Sequence, residues 1–251
     1  MSKKLIIANW KLNPSGILEA ERIIKGIGAK KWKKVSVVVC PPAVFLSKLA
    51  LKKSGISFGV QNVFYQSVGS FTGEMSASMA KSVGASFAIV GHSERRAMGE
   101  SNGDVSKRVL AVLKADLNAI LCVGEKERDL HGHYLSYLKA QIDESLFGVS
   151  KSYSKRLVLA YEPLFAIGEK SNGAMEPRDL HETILFIRKV LHERFGKVAF
   201  SMPILYGGSV DHLNAGELVK EGGADGLLVG RESLRPERFL KIISSVETLK
   251  V

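Results

Sequence analysis

Eight short apolar runs recur along the chain, at 5–9, 35–40, 57–61, 87–91, 119–123, 157–161, 203–207 and 226–229, with longer stretches between them. Within each run the apolar residues are continuous rather than alternating, the pattern of parallel strands covered on both faces. Parallel neighbours need a crossover of about a dozen residues or more, and the intervening stretches are long enough to supply a helix. The clearest of these follows the sixth run, where Leu180, Ile184, Ile187, Leu191 and Phe195 recur at three- or four-residue steps after Pro177, a residue suited to the first helical position. Strand then helix, repeated eight times, predicts an α/β fold: an eight-stranded parallel (β/α)8 barrel.

The chain has 251 residues, and a barrel of this kind typically needs about 250 as a single unit. Breaker clusters at 13–16, 169–173 and 222–223 are short and evenly spread, so residues 1–251 read as one domain without a linker. A hydrophobic fraction of 45% with 24% charged residues excludes a disordered or collagen-like polymer. No run approaches the roughly 20 apolar residues that span a bilayer, which excludes membrane insertion. Met1-Ser2-Lys3-Lys4 precedes an apolar stretch too short for a secretory signal, so the expected location is cytoplasmic. Cys40 and Cys122 each fall in an apolar run and read as reduced, buried thiols. Segment 63–74, with Val63 and Glu74 at its ends, is long and carries Phe64, Tyr65 and Phe71; as an uncovered projection it predicts burial in a partner subunit.

In a parallel barrel, functional groups belong where strands end and loops begin, at the carboxyl face. The first run ends in Asn9-Trp10-Lys11, the fourth in Gly91-His92-Ser93-Glu94-Arg95-Arg96 and the sixth in Tyr161-Glu162-Pro163. Taken singly, Lys11 reads as a solvated lysine, His92 as a structural histidine and Glu162 as a loop charge. Their placement on one rim favours chemistry. The seventh and eighth runs end in Gly207-Gly208-Ser209 and Gly230-Arg231-Glu232-Ser233, small-residue turns whose backbone N–H groups can meet an anion.

These motifs, together with 69–74, Cys122-Val123-Gly124-Glu125, Ala166-Ile167-Gly168 and 226–230, resemble the triosephosphate isomerase family in order and spacing over nearly the whole chain. The resemblance implies a TIM barrel, usually a homodimer joined through the loop at 63–74, that interconverts dihydroxyacetone phosphate and D-glyceraldehyde 3-phosphate in glycolysis and gluconeogenesis. It implies no metal and no organic cofactor. By the same resemblance Glu162 is the proton-transferring base and His92 the electrophile, and Lys11 and Asn9 stabilise the enediolate. Glu94 holds Lys11, and Gly168 lies in a lid whose N–H joins those of Ser209, Gly230 and Arg231 on the phosphate. The chain departs from the family pattern at Phe165, commonly tryptophan, at Ser171-Asn172-Gly173, at Arg231, commonly glycine, and at Leu12.

Two rival readings remain at this level. Another phosphate-binding barrel would share the glycine turns but need not have Glu162, His92 and Lys11 together. A nucleic-acid-binding protein is suggested by 36 Lys+Arg against 25 Asp+Glu, net +11, and by Lys30-Lys31-Trp32-Lys33-Lys34. That cluster falls between a helix and a strand, where a solvated loop is the simpler account, so no nucleic acid is expected. A positive field also favours encounter with a phosphate-bearing substrate. Asp129, His131 and His133 read as a surface turn rather than a metal cluster.

Overall fold

The computed structural model describes residues 3–28, 30–52, 55–129, 131–166 and 174–249. In chain order the elements are β1 (Lys4–Asn9), α1 (Ile17–Ile27), β2 (Val35–Cys40), α2 (Ala43–Ala50), β3 (Ser57–Val60), α3 (Ala77–Ser82), β4 (Ala85–Val90), α4 (Ser93–Ala97) and α5 (Asn102–Lys114). They continue with β5 (Asn118–Val123), α6 (His133–Ser145), β6 (Leu157–Tyr161), α7 (Pro177–Phe195), β7 (Ile204–Tyr206), α8 (Ala215–Lys220), β8 (Gly226–Val229) and α9 (Pro236–Glu247). Each strand pairs in parallel with the next, and β8 pairs back onto β1, giving the expected closed eight-stranded barrel.

Alternate residues of each strand enter two separate cores, which is why the runs are apolar throughout. Leu5, Ile7, Val38, Cys40, Ile89, Ile120, Cys122, Val158, Ala160, Leu205 and Leu228 fill the barrel interior. Ile6, Ala8, Val37, Val39, Leu121 and Leu159 point outward and pack with the helices. The apolar stripe of α7 is the one its sequence spacing predicts, with Leu180, Ile184, Ile187, Leu191 and Phe195 all buried.

Several strands differ from their expected bounds by a residue, and the fourth and seventh differ further for local reasons. The fourth strand begins at Ala85, two residues early, where the β3–β4 register slips by one residue between Phe58 and Gly59. The seventh keeps only three residues, Pro203 and Gly207 falling outside it. At the seam, a side chain on Gly226 would put its Cβ 1.9 Å from the carbonyl oxygen of Leu5, so barrel closure requires glycine there.

Both cysteines are free and buried, and burial pushes their thiols up. The basic cluster forms the α1–β2 connection, at the opposite end of the barrel from the rim. There Lys30 Nζ sits 4.3 Å from the centre of the Trp32 ring, and the N–H groups of Lys33 and Lys34 donate to the Glu247 carboxylate, each at 2.9 Å. Among the described residues no helix is long and apolar enough to cross a membrane.

Candidate active site

The carboxyl ends of β1, β4 and β6 bring Lys11, His92 and Glu162 together. Lys11 has φ +53, a left-handed conformation uncommon for a residue with a side chain. It is held there from both sides: the Asn9 side-chain oxygen accepts its N–H at 3.1 Å, and Gln61 Nε2 donates to its carbonyl at 2.9 Å. Such strain persists only where the surroundings over-determine it. Lys11 Nζ then donates to Glu94 Oε1 at 2.7 Å, the contact that the resemblance implies.

His92 caps α4 and is buried. Its Nδ1 accepts the Glu94 N–H at 3.2 Å, so in this pose the ring proton sits on Nε2, 3.1 Å from Glu162 Oε1. Burial disfavours a charged imidazole, but the adjacent Glu162 carboxylate outweighs it and raises the His92 pKa. Glu162, only 3% exposed, accepts a second hydrogen bond on Oε2 from the Ser93 N–H at 3.1 Å. Burial pushes its pKa up. His92, the Ser93 N–H and the charge of Lys11 together outweigh that and leave it below the usual carboxylate value.

The glycine turns complete the rim. Gly207 lies so close to Glu162 that a Cβ there would meet its Cγ at 2.9 Å, and a Cβ on Gly230 would lie 3.9 Å from Lys11 Cε. Ser209 turns its N–H and its hydroxyl onto the Ala166 carbonyl, at 3.0 and 2.9 Å. An anion taking that N–H must therefore displace Ala166. Arg231 opens a short 3-10 turn after β8 with its side chain exposed, and the Glu232 carboxylate beside it receives Arg238 at 3.0 Å. Gly168 and Ser171-Asn172-Gly173 lie outside the described residues.

Other residues of the rim were not singled out from the sequence. Gln61 closes the third predicted run, so the strand-end rule itself could have found it. Arg128 donates to Glu125 Oε1 at 2.9 Å and to the Tyr161 hydroxyl at 3.0 Å, and its guanidinium lies 5.5 Å from the centre of the Phe165 ring. No sequence signal distinguishes it from a surface arginine. Asp129 and His133 form an exposed 2.9 Å pair at the start of α6, as a turn would.

Comparison with known proteins agrees over the full length. The family model for triosephosphate isomerase matches residues 4–246. A triosephosphate isomerase of Rhodopirellula baltica is 40% identical over 254 residues, covering 98% of this chain and 98% of that protein. Another from Aquifex aeolicus is 37% identical, covering 97% and 99%. The solved structure of triosephosphate isomerase from Bartonella henselae superposes with a TM-score of 0.83 at 35% identity, covering 97% of this chain and 98% of that one.

Proposed function

The chain belongs to the triosephosphate isomerase family, a family of aldose–ketose isomerases, and from that premise we propose that it interconverts dihydroxyacetone phosphate and D-glyceraldehyde 3-phosphate with Glu162 as the base. The observation that carries this is the convergence of a buried carboxylate, a buried imidazole and an ammonium on one rim. Moving a proton between adjacent carbons requires a base that removes it from one and returns it to the other, and one carboxylate can face both. His92 presents Nε2–H to the substrate oxygens, and Lys11 with Asn9 supplies charge and hydrogen bonds to the enediolate as negative charge develops. Glu94 positions Lys11.

In this reading the pose described above is a resting one: the carboxylate leaves the Ser93 N–H and the His92 ring to reach carbon. The phosphate takes the N–H groups of Ser209, Gly230 and Arg231, joined by Gly168. We propose further that residues 1–251 act as one domain in a cytoplasmic homodimer serving glycolysis and gluconeogenesis, the loop at 63–74 entering the neighbouring subunit. The test is a coupled assay of the purified chain on D-glyceraldehyde 3-phosphate. Glu162→Gln should bind substrate but lose about a thousandfold or more in kcat, the scale of a positioned base. A variant with undiminished turnover, in a preparation free of host isomerase, would reject the assignment.

A further inference from the structure

A recess of about 280 Å³ opens beside the carboxyl ends of β4, β5 and β6, against helices α4, α5 and α6. Exposed Ala97, Ser101 and Lys126, with Tyr137 half exposed, are its outer members. Its buried end reaches Cys122 and Glu162. Among the residues proposed to bind or react with substrate, Glu162 alone lines it. Ser93, which also lines it, lies against the Glu162 carboxylate through its N–H at 3.1 Å.

The recess suits water. A water needs only about 10–15 Å³ of cavity of this measure, so several fit. Glu100, another lining residue, buries Oε2 with no hydrogen-bond partner among the described residues, and a buried acceptor of that kind calls for a donor.

We propose that this recess is a solvent path to the base that bypasses the substrate pocket, so that the proton Glu162 takes from substrate exchanges with water while the rim is filled. The inference rests on Glu162 being the base. In the exchange the carboxyl O–H bond breaks as its proton passes to a recess water, and a proton from that water chain forms the new O–H bond. Charge and electrons are unchanged. The hydrogen removed from one carbon then has two fates, return to the neighbouring carbon or replacement by one from solvent.

The competition can be read by running the isomerisation of unlabelled substrate in D2O and measuring, by NMR of the product, the ratio of retained hydrogen to incorporated deuterium. Ala97→Leu narrows the mouth and Tyr137→Ala widens it, and neither residue belongs to the proposed catalytic or phosphate-binding set. Ala97→Leu should raise the ratio and Tyr137→Ala lower it, each by about twofold or more, with kcat changed by less than about twofold. A ratio that neither variant moves, or that both move in the same direction, overturns the path. Wild-type protein without isomerase turnover would instead overturn the functional reading beneath it, and the path with it.

Discussion

Ser93 lends the site only its main chain, yet its N–H is one of the groups that hold the Glu162 carboxylate in its charged form. A base with a depressed pKa stays deprotonated below the ordinary carboxylate value of about 4.3, and its function is lost only as pH falls through the lower value. The backbone allows a direct test. Ser93 is the first residue of α4, a position that accepts proline, and His92 before it already has φ −55 and ψ 144, the extended geometry a following proline demands. Ser93→Pro should therefore remove the donor, keep the helix and raise the Glu162 titration midpoint, by up to about one to two pH units if the bond is worth about 1.5–3 kcal/mol. Carbon NMR of carboxyl-labelled glutamate reads the midpoint; one that stays put or falls would show that the N–H does not hold the charge. Arg231 poses the opposite question, of a side chain beside a phosphate site proposed to use backbone. Because it is exposed, Arg231→Gly should change the inhibition constant of inorganic phosphate by less than about threefold. A tenfold loss persisting at high salt would place the guanidinium on the anion.

Among the elements, the end of β5 is the support on which Glu162, the proposed base, rests. A Cβ on Gly124 would fall 1.9 Å from the Glu162 carbonyl oxygen, and the Glu162 N–H donates to the Val123 carbonyl at 2.7 Å. Gly124→Ala should push the start of the β6 loop outward and lower kcat by about a hundredfold, the cost of a shift near 1 Å, with a smaller change in KM. Kinetics matching wild type would mean the two strand ends separate without moving the carboxylate. The contact also marks the limit of what the sequence discloses. Asn9, Lys11, His92 and Glu162 were legible because a parallel barrel puts chemistry at strand ends and these residue types stand there. The Ser93 N–H and the clearance at Gly124 were not, since every residue has a backbone and only closure reveals which ones touch. The same holds for β4: Ala85 and Ser86 lack β-branched character, and their place in the strand comes from pairing across an irregular register with β3.

For the molecule as a whole, the proposed homodimer turns on the loop at 63–74. The loop's rings already meet one another, Phe64 lying 4.3 Å from Tyr65 and 4.6 Å from Phe71 between centroids, but Phe71 remains 41% exposed and Val68 78%. Side chains of that size left in water favour burial against a second copy. Light scattering at micromolar concentration should return twice the mass of the chain; fully active particles of single-chain mass would rule out a required dimer. The seam between β1 and β8 has a different consequence, in time rather than in space. Leu5 to Ala8 find their second set of partners only at Gly226 to Val229, more than two hundred residues later in synthesis. Until the ribosome releases that last strand, the nascent sheet has two open edges able to pair with other chains, and β1 waits half-bonded for most of translation. A ribosome stalled just short of Gly226 thus leaves a nearly complete protein in its most adhesive state.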